Sequence, residues 1–230
     1  MPVYNEGLVI RESINRVETE VKYQHELLII YDMDIDTTIK PAKELQKKYK
    51  NLKLVKNLYG SGALNALKTG IKKAKGEAVC VMMADLTDDP KIVNTMVKKF
   101  EEGFDIVAAS RYMKGGHQIG GPIIKQLLSR GAGLSLHFLT GIPTHDVTNS
   151  FKIYSRKFLN KTKIESDGGF ELGIELTVKA FNLGYKIAEV PTTWTYLNKE
   201  SRFYLKKWLP KYIKWYILAI KCKYFSKLNI

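Results

Sequence analysis

The sequence predicts an α/β fold with a mostly parallel central sheet flanked by helices, and three observations lead there. Short uncharged apolar runs, among them Leu27–Tyr31 (LLIIY) and Ala78–Met83 (AVCVMM), alternate along the chain with longer stretches of helical spacing. Polar turns follow those runs, where a parallel sheet offers the carboxyl ends of its strands to a ligand crevice. Across 200 residues no shift of composition marks a second globular unit, and 230 residues suffice for one substantial core.

Taken in order, the elements are as follows. Glu6 to Val21 has helical spacing, with Asn5 as its expected cap, and Leu27–Tyr31 is a strand. A helix over Pro41–Tyr49 leads to a short strand at Leu52–Val55, and a helix from Ser61 to Ala74 leads to the Ala78 strand. Pro90 opens the next helix, to Phe100, as proline does at a first helical position, and Asp105–Ala109 is again a strand. Gly76, Gly103 and Gly184 stand where left-handed helix stops are expected. Met1–Glu6 (MPVYNE) reads as the end of a first strand that is otherwise nearly missing, so the natural chain begins upstream or has a shortened first strand.

Two cysteines far apart, Cys80 and Cys222, make no disulfide framework and fit a reducing compartment. No export leader opens the chain and no eighteen apolar residues run together, so the expected location is cytoplasmic, peripheral at the cytosolic face of a membrane. The net charge is +14, of which +8 lies in Ser201–Ile230, a segment without an acid. Residues 1–200 are therefore read as one α/β domain and 201–230 as a basic amphipathic helix, restarted at Pro210. On that helix Lys207, Lys211, Lys214 and Lys221 share one arc, while Trp208, Tyr212, Ile213, Tyr216 and Ile220 share another. Such a helix suits an anionic membrane surface, and the same pattern is met by a helix packed on the protein's own core. No nucleic-acid module accompanies the basic charge, so no nucleic-acid partner is expected.

The turn Ala84–Pro90 (ADLTDDP) places Asp85, Asp88 and Asp89 just past a strand, where carboxylates can hold a hard divalent cation and through it a diphosphate; a capped loop with solvated acids is the plainer alternative. Asp32, Asp34 and Asp36 follow the second strand, where a carboxylate can accept hydrogen bonds from a ribose or a base. Asn57–Gly62 (NLYGSG) opens a helix with two glycines, Gly60 and Gly62, allowing close backbone approach to a ligand. Tyr112–Gly121 (YMKGGHQIGG) has the glycine content of a segment that closes over a bound donor.

The collinear order of PVYNE, the aspartate-rich turn, a glycine-led helix ending in KAKGE, AVCVMMADLTDDP, SRY, DVTNSFKIY, GYKIAEVPTTW and ESRF resembles the family 2 glycosyltransferases. Within them it is most similar to the polyprenyl-phosphate sugar synthases of the dolichyl-phosphate mannose synthase type. The resemblance implies a GT-A fold, Mg²⁺ or Mn²⁺, and inverting transfer of a hexose from GDP-mannose or a UDP-hexose to a polyprenyl phosphate. It implies that Pro2, Tyr4, Glu6 and Asp32, with Gly62 nearby, line the nucleotide pocket. Asp85 matches the second acid of the family's DxD metal motif, with Asp88 as a further ligand; Met83 replaces the first acid, and a thioether is a poor partner for a hard cation. Arg111 and Arg130 resemble the cations that hold the acceptor phosphate, and Asp146 the acid beside the acceptor. The closing motif has one residue fewer before ESRF, and Lys199 or Arg202 stands in for its usual arginine. The alternatives are transfer to a saccharide or protein hydroxyl, and a catalytically weakened nucleotide-sugar-binding protein.

Overall fold

The computed structural model describes residues 1–197 and 205–224; the ESRF motif with Lys199 and Arg202 lies outside them. Along the chain run α1 (Val9–Glu20), β1 (Leu27–Tyr31), α2 (Ile39–Gln46), β2 (Leu52–Lys56), α3 (Ala63–Lys73), β3 (Ala78–Val81), α4 (Ile92–Glu101) and β4 (Ile106–Ser110). They are followed by β5 (His117–Ile119), α5 (Ile123–Thr140), β6 (Lys152–Ser155), α6 (Arg156–Lys161), α7 (Leu172–Asn182), β7 (Ile187–Pro191), β8 (Thr193–Thr195) and α8 (Leu205–Tyr224).

β1 and β2 pair in parallel, and a four-stranded sheet has the order β3-β6-β4-β7. β6 is antiparallel to both β3 and β4, whereas β4 and β7 are parallel. Because β3, β4 and β7 thus share one direction and β6 opposes them, the turns after β3, β4 and β7 and the loop before β6 all emerge at one edge. β3 is an outer strand of that sheet, with alternate residues buried, and not a central strand covered on both faces. Its apolar run ends as a strand at Val81, and Met82 and Ala84 pack into the core beyond it.

The nearly missing first strand is present as a short parallel bridge between Pro2 and Ile30. Val3 N–H donates to Ile30 O and Ile30 N–H to Met1 O, both at 2.9 Å. One core cluster joins the two sheets: Ile10, Ile14 and Val17 of α1 meet Leu27 and Ile29, Met96 of α4, Val107 and Ala109, and Phe151 and Ile153. Burial of these side chains, at roughly 1.5–3 kcal/mol each relative to exposure, fixes the strand ends that carry the polar turns.

Several local expectations are corrected. Asn5 does not cap α1: it has φ +54, Leu8 occupies the cap, and the helix starts at Val9. Gly103 and Gly184 do adopt positive φ after their helices, but Gly76 does not, because α3 ends in the extended residue Ala74. α8 is not restarted at Pro210 but runs through it. Its buried stripe is Trp215 and Ala219, in a cluster with Leu136 of α5 and Ile174 and Val178 of α7, so this helix packs on the protein's own core. Lys211 of the lysine arc pairs with Asp167 at 2.9 Å. Ile213 and Ile217 remain exposed on the outer side.

Candidate active site

The first group of polar residues lies where β1 ends. Asp32 accepts hydrogen bonds from Asn57 Nδ2 and from the backbone N–H of Gly62, both at 2.8 Å. Gly62 caps α3 at φ +123, a conformation that L side chains rarely adopt, so glycine is required for its N–H to face Asp32. Asp36, which the sequence offered only as one of three neighbouring acids, does the joining. Buried, it accepts from Asn5 N–H at 3.1 Å and Thr38 N–H at 2.8 Å, while Glu6 N–H donates to Thr38 Oγ1 at 3.0 Å. Tyr4 and Glu6 are thereby held beside the turn that carries Asp32, with Pro2 buried at the bridge to β1.

The second group forms at the shared edge of the four-stranded sheet. Asp85 accepts from Thr87 N–H at 3.1 Å and Thr87 Oγ1 at 2.6 Å, and Asp88 from Met83 N–H at 3.2 Å. Asp88 is buried, and burial, reinforced by the Asp85 carboxylate, pushes its pKa up to about 7. Ser13 of α1 donates to Ala84 O at 2.5 Å, tying this turn to the helix that follows Glu6. Thr195 N–H donates to Thr87 O at 3.3 Å, bringing β8 against it. Met83 lines a narrow cavity with Leu67, Val81 and Phe170.

Arg111, one residue past β4, makes a two-pronged bond to Asp146: Nε to Oδ2 at 2.7 Å and Nη2 to Oδ1 at 3.0 Å. Asp146 also accepts from Arg111 N–H, Thr148 Oγ1 and Asn149 N–H, and its side chain is fully buried. Burial opposes its charge, but the adjoining guanidinium outweighs that and holds the carboxyl below its usual range. Burial likewise opposes the Arg111 charge, and Asp146 raises its pKa in spite of it. Asp146 is therefore an ionised orienting group for Arg111 with no free lone pair of its own to serve as a base. Lys152 Nζ, wholly buried, donates to Val147 O at 3.1 Å and to Asn149 O, and burial lowers its pKa to about 7. It closes the loop from Asp146 to Phe151 from beneath.

Two contributors were not singled out from the sequence. Glu189 of β7 accepts from His145 N–H at 2.8 Å, His145 Nδ1 at 2.5 Å and Thr144 Oγ1 at 3.1 Å, anchoring the residues before Asp146. Gly133 of α5 approaches the same loop so closely that a Cβ would stand 2.1 Å from His145 O. The segment expected to close as a lid is pinned: β5 pairs in parallel with β8, and Gln126 Nε2 donates to the carbonyls of Gly120 and Gly121. Arg130 is exposed on α5, next to Ser129, whose hydroxyl meets Tyr112. α1 and the shared core connect the Asp32 group to the Asp85 group.

The donor set at the acidic turn fits a hard divalent cation. Burial first, and the neighbouring Asp85 carboxylate second, raise Asp88, and a bound cation would offset both. Among the described residues there is no group of three His, Cys, Asp or Glu placed to hold a metal ion.

The arrangement of strands and helices is that of the GT-A fold. The fold matches a mannosyltransferase from Pyrobaculum calidifontis solved with GDP-Man and Mn²⁺ at TM-score 0.66 and 17% identity, over 98% of this chain and 69% of that one. It also matches glucosyl-3-phosphoglycerate synthase from Mycobacterium tuberculosis at TM-score 0.69 and 19% identity, over 95% and 78%; that synthase has been solved with Mn²⁺ and UDP and with Mg²⁺ and UDP. Residues 1–162 match the Glycosyl transferase family 2 domain, and the chain belongs to that family. Among its relatives are a dolichol-phosphate mannosyltransferase of Pyrococcus furiosus, 28% identical over 84% of this chain, and a polyprenol monophosphomannose synthase of Mycolicibacterium smegmatis, 29% identical over 85%. This chain spans 55% of the first relative's length and 76% of the second's.

Proposed function

We propose that this chain is a hexosyltransferase that moves a sugar, with inversion, from GDP-mannose or a UDP-hexose to the phosphate of a polyprenyl phosphate. The observation that carries this reading is the place of Arg111: buried, permanently charged, oriented by Asp146, and near enough to the acidic turn to act on the charge of Asp88. A phosphate monoester is largely ionised at neutral pH and needs no base, only alignment with the bond to be broken. Arg111 with Arg130 receives the acceptor phosphate through forked donors. One phosphate oxygen attacks the anomeric carbon while its bond to the nucleoside diphosphate breaks. Asp85 and Asp88 would hold a Mg²⁺ or Mn²⁺ ion, which would neutralise charge on the departing diphosphate. Tyr4, Glu6, Asp32 and Gly62, beside Pro2, hold the base and ribose, and β5 with its glycines limits access of water to the activated sugar.

The membrane part of the reading places the protein at the cytosolic face of an anionic bilayer. It is supported by α5, where Ile123, Ile124, Leu127, Leu128 and Phe138 are all exposed, and by α8 beside it with exposed Lys214 and Lys221. No described helix is long and apolar enough to cross a membrane. A second reading, transfer to a saccharide or protein hydroxyl, is favoured by Asp88, whose pKa of about 7 suits a general base. Incubation with labelled nucleotide sugars, Mn²⁺ and short-chain polyprenyl phosphates decides between them. The proposal expects a lipid-phosphate sugar whose formation is lost in Arg111→Ala; glycosylation of hydroxyl acceptors alone supports the second reading, and nucleotide-sugar binding without turnover contradicts both.

A further inference from the structure

Tyr112 follows Arg111 directly and reaches three separate elements. Its ring lies 4.8 Å from the guanidinium carbon of Arg111 at the end of β4. Its hydroxyl donates to Gln118 Oε1 on β5 at 2.8 Å and also meets Ser129 Oγ on α5. With the phenol hydrogen on Gln118, Ser129 donates to the phenol oxygen, and its 3.1 Å approach to Gln126 O is the alternative use of the same serine hydrogen. Gln126 in turn holds Gly120 and Gly121 by their carbonyls, so the phenol and this amide clasp the same segment from two sides. Arg130 follows Ser129, close enough for its charge to act on the phenol. A phenylalanine would fill the same space and keep the stack on Arg111; the hydroxyl alone supplies the cross-connections.

Two arginines on different elements can share one phosphate only if the elements are held in fixed register, because misplacement of a positioning group by about 1 Å is costly to rate. Arg111 is fixed by Asp146, whereas Arg130 is exposed on a helix whose first residues, Ile123 and Ile124, are exposed as well. We infer that Tyr112 is a positioning residue whose hydroxyl locks β5 and the first turns of α5 to the end of β4, setting Arg130 against Arg111 around an acceptor phosphate. It also keeps the glycine-rich segment closed. The inference rests on the proposed role of the two arginines.

The test is Tyr112→Phe in the full chain, read two ways. Amide hydrogen exchange over residues 117–121 should accelerate roughly 2- to 10-fold, the equivalent of one net hydrogen bond, with the urea midpoint otherwise kept. With farnesyl phosphate as acceptor, KM should rise by a similar factor while kcat changes less than about twofold. Adding Ser129→Ala to Tyr112→Phe should add little, since both remove one connection. Unchanged exchange and unchanged KM overturn the inference, as does a loss confined to kcat. If the wild-type protein does not use farnesyl phosphate, the acceptor reading falls, and the exchange measurement alone then decides whether Tyr112 holds the segment. Should Tyr112→Phe fail to fold, Ser129→Ala with Gln118→Ala removes the same partners and is judged by the same two readouts.

Discussion

Removing both members of the Arg111–Asp146 pair should destabilise the fold by clearly less than the sum of removing each alone. The Asp146 carboxylate is fully buried and the Arg111 side chain is 11% exposed, with Nε–Oδ2 at 2.7 Å and Nη2–Oδ1 at 3.0 Å. Asp146→Ala leaves a buried guanidinium opposite no counter-charge, and it also strands Asn149 N–H and Thr148 Oγ1. Breaking one side of a buried pair costs about 3–5 kcal/mol. Arg111→Ala costs about the same, since it leaves the carboxylate uncompensated, and the double variant should fall short of the sum by about 2 kcal/mol or more. Urea unfolding of the four proteins of the cycle at pH 7.5 measures this. The depressed pKa of Asp146 means that the pair's contribution is complete above the unfolded carboxyl pKa and is lost only as pH falls through the folded one. The coupling should therefore be the same at pH 6 and pH 8. Single variants costing under about 1 kcal/mol and adding independently would refute the view that Asp146 exists to hold Arg111 charged and oriented, because exposed pairs behave that way.

Lys152, lowered by burial to about 7 from an ordinary 10.5, binds a proton more tightly in the unfolded chain, so its contribution makes stability rise with pH between those values. Lys152→Met should remove about 2 kcal/mol of the gain between pH 7 and pH 9, by urea midpoints at each. Asp88, raised to about 7, acts in the opposite direction, lowering stability as pH climbs toward neutrality. Asp88→Asn should raise the Tm of the metal-free protein at pH 8 and abolish most of the further rise given by Mn²⁺, in thermal scans with chelator and with the metal. On the outer surface, Ile124→Asp with Leu127→Asp should weaken binding to phosphatidylglycerol vesicles by about tenfold per site, from roughly 1–2 kcal/mol of apolar transfer each, in a sedimentation assay.

Alternation of apolar runs and helical spacing made the order of β1 to β4 readable, and Leu27–Tyr31 is a strand over the same residues that the pattern gave. The acidic turn could be placed at a strand end because three carboxylates after an uncharged run have few other homes. β6 was less readable: its antiparallel insertion between β3 and β4 depends on pairing across about seventy residues, and Lys152 within it reads as a charge that ought to be outside. The binding of Asp36 to Asn5 N–H, and of Glu189 to His145, joins residues remote in sequence, so no local spacing announces it. Gly133 has the look of a helix-weakening residue, and only the approach of His145 O explains it. The terminal helix shows the limit of periodicity, which located an apolar stripe but not its partner; Trp215, the most deeply buried aromatic of that helix, faces α7 and α5.

In the proposed enzyme one sheet edge brings a cation-held diphosphate, through Asp85 and Asp88, up to the guanidinium of Arg111. Crystals grown with a nucleoside diphosphate and Mn²⁺ give the most direct test through the anomalous signal of manganese. A peak bonded to the Asp85 carboxylate and to diphosphate oxygens, on the Arg111 side of the acidic turn, is the predicted result. Manganese bound elsewhere, with the nucleotide away from Asp32 and Asp85, would contradict it.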